Sequence, residues 1–194
     1  MTTISMADRP LVNARDDLRR YVGLPWSGGK PEVWAYRYFD ILPDPDPSDV
    51  LPQDVLAAAA LHPKLTQRDL VWFVDQRDRL RDFLASTPND DLADSNPERL
   101  DVLLDFAGTG VELSLLTKVL HRKRPRLIPL LDRRLVDWYR FKLAARGAAA
   151  WPELTRALAT DLAANRTALN ELGELVPLTH VRVADIAIWM EGQR

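Results

Sequence analysis

DFAGTGVELSLLTKVLHRKRPRLIPLLD, residues 105–132, decides how this chain is expected to fold. Gly108 and Gly110 stand one residue apart, which permits a tight reversal with backbone amides directed outward. A helix is predicted from near Val111 to just before Pro125, so its first amides and the positive end of its dipole face the glycine turn. Beyond Pro129, Asp132 opens a further helix predicted to reach about Arg146. Upstream, Asn96-Pro97-Glu98 supplies a cap, a proline in the first turn and an acid facing the dipole; the short helix it starts ends at Ala107-Gly108. Two helices joined by a glycine hairpin are therefore expected within about 97–146.

Working outward, a first helix is predicted over Pro10 to Tyr21, stopped by the glycine-rich run 23–29. The aromatic run from Val33 to Phe39 is compatible with a short strand or a helical turn, and periodicity does not choose between them. Pro43-Asp-Pro-Asp-Pro-Ser-Asp49 is an extended loop, because each proline disfavours helix at the residue before it. An alanine-rich helix follows over 53–61. Thr66 and Asp69 make a capping-box start for a helix carrying Leu70, Phe73, Val74, Arg77, Leu80 and Leu84 to about Ser86. After a polar linker over 87–95 and the central stretch, Trp151-Pro152-Glu153 opens a helix that stops at Leu172-Gly173. A last segment, 180–190, turns Val181, Ala184 and Ile188 inward. Only the aromatic run offers a strand. The expected fold is all-α, a compact helical bundle forming a single domain over 1–194 with a helix-hairpin-helix element in it.

The chain has 194 residues, no cysteine and three histidines. Disulfides, thiolate chemistry and Cys-ligated metals are excluded, and neither a metal centre nor a cofactor is expected. No apolar run approaches a membrane span and the N-terminus is unlike a signal peptide, so a cytoplasmic location without membrane attachment is expected. Oligomeric state is not legible. The net charge of −2 hides a segregation: residues 117–146 hold ten Lys or Arg against Asp132 and Asp137, so this segment carries +8 and the remainder −10. Such a region suits phosphates or an acidic partner; equally, it is an ordinary face paired with acidic neighbours.

The arrangement around the turn resembles the helix-hairpin-helix superfamily of DNA glycosylases over about 101–139. Gly108, Gly110, Pro129 and Asp132 occupy the positions of that pattern. The resemblance implies a DNA partner and gives Asp132 the catalytic role of supporting cleavage of a glycosidic bond to an extruded base. Members that also cut the backbone carry a lysine just after the second glycine, where this chain reads Val111-Glu112. The resemblance therefore implies a monofunctional enzyme, since Glu112 cannot form an imine. The segment 117–132, with Val183-Ala-Asp-Ile-Ala-Ile-Trp189, also resembles an uncharacterised, mainly actinobacterial family that offers no activity to borrow.

The candidate nucleic-acid contacts are Gly108, Thr109, Gly110, Lys118, Arg122, Lys123, Arg124, Arg126 and Arg133. Trp34 and Tyr36 are candidates for stacking on an extruded base, and core positions are the alternative for that aromatic set. Asp132 is equally explained as a helix cap, and Glu112 as a partner of the helix dipole. Three functions follow from these residues: a base-excising enzyme, a non-catalytic DNA-binding module using the hairpin and the cluster 122–126, or a partner-binding regulatory protein.

Overall fold

The computed structural model describes residues 3–27, 35–62 and 64–194. Helix dominates. In chain order the helices are α1 (Ala14–Tyr21), α2 (Pro52–Ala58), α3 (Gln67–Asp75), α4 (Arg77–Ser86), α5 (Leu103–Gly108), α6 (Leu113–Lys123), α7 (Arg133–Tyr139), α8 (Trp151–Ala164), α9 (Arg166–Gly173) and α10 (His180–Glu191). The sequence sets several of these starts. Thr66 and Asp69 close the expected capping box on α3, Asn96 accepts from Glu98 N at 3.0 Å ahead of a 3-10 turn, and Thr179 caps α10.

The helical class holds and several local expectations are corrected; the helix expected from Thr66 to Ser86, for example, is two, α3 and α4, parted at Gln76. The described part of the aromatic run holds a 3-10 turn, Ala35–Arg37, and the strands lie elsewhere: β1 (Ile4–Met6) and β2 (Arg9–Leu11) pair antiparallel, with Ile4 opposite Leu11. Their turn places Ala7 and Asp8 at φ 52° and 59°, a left-handed pair that sequence rules assign to Asn-Gly or Asp-Gly. Tertiary bonds hold it: Asp161 accepts from Ala7 N at 2.6 Å and Asn165 accepts from Ser5 N at 2.9 Å. The helix expected from Asp132 to Arg146 ends at Tyr139. Beyond it Lys142 reaches Asp8 at 3.0 Å and Glu153 takes the Ala144 amide at 2.6 Å, which turns the segment off the helical path.

α6 runs through the middle of the molecule. Leu113, every residue from Leu115 to His121, and Lys123 are buried. A helix buried all round must satisfy its polar side chains internally. Here they bond the segment that returns from Arg124 to Leu131. Thr117 Oγ1 accepts from Leu131 N at 3.0 Å, Lys118 Nζ donates to Leu131 O at 3.2 Å, and His121 Nδ1 donates to Ile128 O at 2.6 Å. Burial pushes His121 down to about 4, so the ring is neutral at pH 7 and its proton sits on Nδ1. Three side chains, on two turns of one helix, thereby fix the backbone that delivers Asp132.

Candidate functional site

Asp132 is the N-cap of α7: its Oδ1 accepts from Leu135 N at 2.8 Å. Among the described residues no protein donor bonds Oδ2. The residue is half-buried and lines two separate concavities. It is therefore both a cap and an available carboxylate, and the two readings of its sequence position do not compete.

The first concavity is a cavity of about 450 Å³, within the size range of small-ligand sites. Ala60, Leu61, Leu130, Ile186 and Trp189 give it apolar walls; Tyr38 lies on its rim, and Lys118, Asp185, Arg182 and Tyr21 supply its polar side. Most of that polar side is already bonded. Lys118 Nζ donates to Ser114 O at 3.0 Å, to Ser114 Oγ at 2.8 Å and to Leu131 O, which uses all three of its protons. Burial lowers its pKa, opposed by the charges of Asp132 and Asp185. Arg182 donates through Nε to Asp40 at 2.5 Å, through Nη2 to the Tyr21 hydroxyl at 2.6 Å, and through Nη1 to Asp185. Burial pushes Asp185 up to about 7 against the pull of Arg182, and burial likewise raises Tyr21, whose hydroxyl donates to Asp40. The cavity is thus a largely self-satisfied shell with Asp132 at its edge.

The second concavity is an open groove of about 820 Å³. Gly108, Val111, Glu112 and Ser114 come from the α5–α6 connection, and Asp132, Arg133 and Asp137 from the start of α7. Gly108 and Asp132 therefore share one groove. No side chain caps the N-terminus of α6, and Glu112 beside it is largely exposed, 3.7 Å from His62. Of the two glycines only Gly110 has a left-handed backbone, at φ 128°; Gly108 has an ordinary φ and open space around it. The Thr109 hydroxyl is engaged, donating to Phe106 O at 2.7 Å and accepting from Trp72 Nε1 at 3.0 Å, so α3 braces the turn.

The basic cluster is not a surface. Arg122 reaches Asp54 at 3.1 Å, Phe39 O at 2.7 Å and Pro43 O at 3.2 Å. Lys123 is fully buried, 2.5 Å from Asp44 and 2.6 Å from Asp54. Arg124 donates to Pro47 O at 2.7 Å and to the carbonyls of Leu84 and Thr87. Phosphate binding needs solvent access that these three lack. They are internal hooks that hold 39–54 against α6, with the acidic Pro-Asp run as counter-charge. Arg126 is exposed, 3.8 Å from Asp91, and the cations lining the groove are Arg133, whose side chain is 93% exposed, and Arg146.

Of the stacking candidates, Trp34 lies outside the described residues. Tyr36 packs edge-on against Tyr21 at 6.2 Å, while Tyr38, two residues on, lines the cavity and is 60% exposed. The Tyr21–Asp40–Arg182–Asp185 network was not anticipated from the sequence. Its one legible signal is the i, i+3 spacing of Arg182 and Asp185 beside the apolar face of α10.

Among the described residues no group of three or more His, Asp or Glu is placed to hold a metal ion, and no helix is long and apolar enough to cross a membrane. Comparison with curated proteins and with solved structures gives no match, so nothing there supports the glycosylase resemblance. The resemblance to an uncharacterised family is in keeping with the match that is found. Over residues 14–192 the chain matches the model of a family described as a family of unknown function (DUF6308), and it belongs to that family.

Proposed function

We propose that this protein binds DNA at the α5–α6 connection, as a helix-hairpin-helix element does, and removes an extruded base at Asp132. The observation that carries this reading is that Asp132 lines both the groove beside Gly108 and the cavity of about 450 Å³. Chemistry on a base requires the base to leave the duplex, so such a site needs an outer seat for the backbone and an inner one for the base. The uncapped N-terminus of α6 offers backbone amides and a positive dipole end to a phosphate, Arg133 adds a cation, and Tyr38 offers a ring at the cavity rim.

In the reaction, water adds to the sugar C1′ and the glycosidic bond breaks. The bonding pair leaves with the base, which takes up a proton. Asp132 Oδ2 stabilises the positive charge developing on the sugar or accepts the proton of the attacking water. Strand cleavage through an imine is not part of this reading: Lys118, the amine at the cavity, is held by three hydrogen bonds, and Glu112 stands where a lysine would be required.

The test is abasic-site formation across a panel of modified and damaged duplexes. Excision of one lesion without strand cutting, slowed roughly 10²-fold or more in Asp132→Asn, is the expected result. A panel left intact by protein that binds it tightly would defeat the enzymatic half.

A further inference from the structure

The cations of 117–146 divide by location. Those of α6 are internal, whereas Arg133, Arg140 and Arg146 are exposed. A second open groove, of about 610 Å³, runs along α7 and is lined by Arg9, Arg134, Arg140 and Arg194, with Arg133 and Asp137 forming the end it shares with the groove beside Gly108. Two acids lie on it: Asp137 is 3.5 Å from Arg133, and Glu191 pairs with Arg194. Among the described residues no carboxylate comes within ion-pair distance of Arg9, Arg134 or Arg140.

Each of these three guanidinium groups lies over a ring instead. Arg9 is 3.7 Å from the Trp138 ring centroid, Arg134 is 5.4 Å from Trp189, and Arg140 is 4.4 Å from Phe141. Stacking orients a guanidinium plane without neutralising it, which leaves the N–H forks of Arg9 and Arg140 for a bidentate acceptor, whereas Arg134 already donates through Nη1 to the Gly192 carbonyl and adds charge. Phe141 is itself 79% exposed, and an exposed ring beside unpaired arginines is a stacking platform for a base.

We propose that this face is a nucleic-acid track: Arg9 and Arg140 hold phosphates of the strand, Arg134 between them adds positive charge, and Phe141 stacks on an unpaired base. The proposal rests on the reading that the Asp132 site acts on nucleic acid, and it extends the bound strand from the hairpin groove past Arg133 along α7.

The test is fluorescence anisotropy of a labelled 20-nucleotide single strand and of its duplex, each across a sodium chloride series. Arg9→Ala with Arg140→Ala, both at exposed positions, should weaken binding and reduce the salt slope by about two, close to one per lost phosphate contact. Phe141→Ala should weaken single-strand binding roughly ten-fold with the slope unchanged, and Phe141→Trp should restore it. A double arginine variant with unaltered affinity and slope overturns the track while leaving base excision standing. Loss of binding in that variant, with no excision by the parent on any lesion, upholds the track and sinks the enzymatic reading. A parent protein that binds neither probe, or from which poly-glutamate displaces the strand at equal charge, overturns the track.

Discussion

Replacing Asp54 by asparagine removes the carboxylate that Arg122 and Lys123 share. All three side chains are at most 4% exposed, with contacts of 3.1 and 2.6 Å. Removing one partner of a buried ion pair leaves an uncompensated charge in a poorly polarisable interior, at about 3–5 kcal/mol. Lys123 keeps Asp44 at 2.5 Å, so the expected loss is at the lower end, about 3–4 kcal/mol. For a chain of this size that lowers Tm by roughly 10 °C. Urea unfolding followed by far-ultraviolet circular dichroism measures it, with Arg126→Ala as the exposed control, expected within about 0.5 kcal/mol of the parent. A loss below about 1 kcal/mol for Asp54→Asn would mean that the cluster is solvated. The account of Arg122 and Lys123 as internal hooks would then be wrong, and their use as phosphate contacts would return.

Further outcomes test the site and its supports. Gly110→Ala forces a side chain onto a backbone at φ 128° and should cost about 1–3 kcal/mol; Gly108→Ala, with open space around it, should change stability by no more than about 0.5 kcal/mol, and thermal unfolding separates the two. Asp132→Ala loses the bond to Leu135 N and about 1 kcal/mol of capping, while Asp132→Asn keeps most of it, so excision lost in the asparagine variant at unchanged Tm reports chemistry and not folding. The folded pKa of His121, about 4, lies below its unfolded value of about 6.5. Its contribution is complete above the unfolded pKa and declines as pH falls from about 6.5 toward 4, by about 3 kcal/mol in all. Urea midpoints at neutral pH and at the acid end should therefore diverge less for His121→Gln than for the parent, and equal divergence would show that another group titrates there.

The parts of the fold legible in sequence were those governed by local chemistry. Thr66 with Asp69 acts within a few residues and starts α3 where expected, whereas Asn96 with Pro97 caps only a 3-10 turn over Pro97–Leu100 and the helix expected from there begins at Leu103. The hairpin at residues 4–11 was not legible, because its left-handed Ala7 and Asp8 are held by Asp161 and Asn165, more than 150 residues away. The helix expected from Trp151 to Gly173 breaks at Asn165, whose side chain is drawn to the same hairpin. Charge was the most misleading signal. Arg122, Lys123 and Arg124 look like a polyanion surface until the acidic Pro-Asp loop, some 80 residues earlier, is seen folded over them. Asp132 was singled out as a candidate by its spacing from the turn, but the cavity beside it depends on Arg182 and Tyr21, whose convergence no local pattern announces.

The hooks from α6 also bear on how any affinity of this protein for polyanions is to be interpreted. In the folded chain Arg122, Lys123 and Arg124 are bound to the 39–54 segment and contribute little to the outer field. A molecule whose segment has come loose bares three adjacent cations and sheds their acidic cover. Ageing, mild denaturant or proteolysis within that loop would thus convert an anionic protein into one with a sticky basic stripe, which would retain DNA at low salt without any lesion preference. Affinity that rises as a preparation deteriorates belongs to the opened chain; affinity that falls with unfolding belongs to the native one.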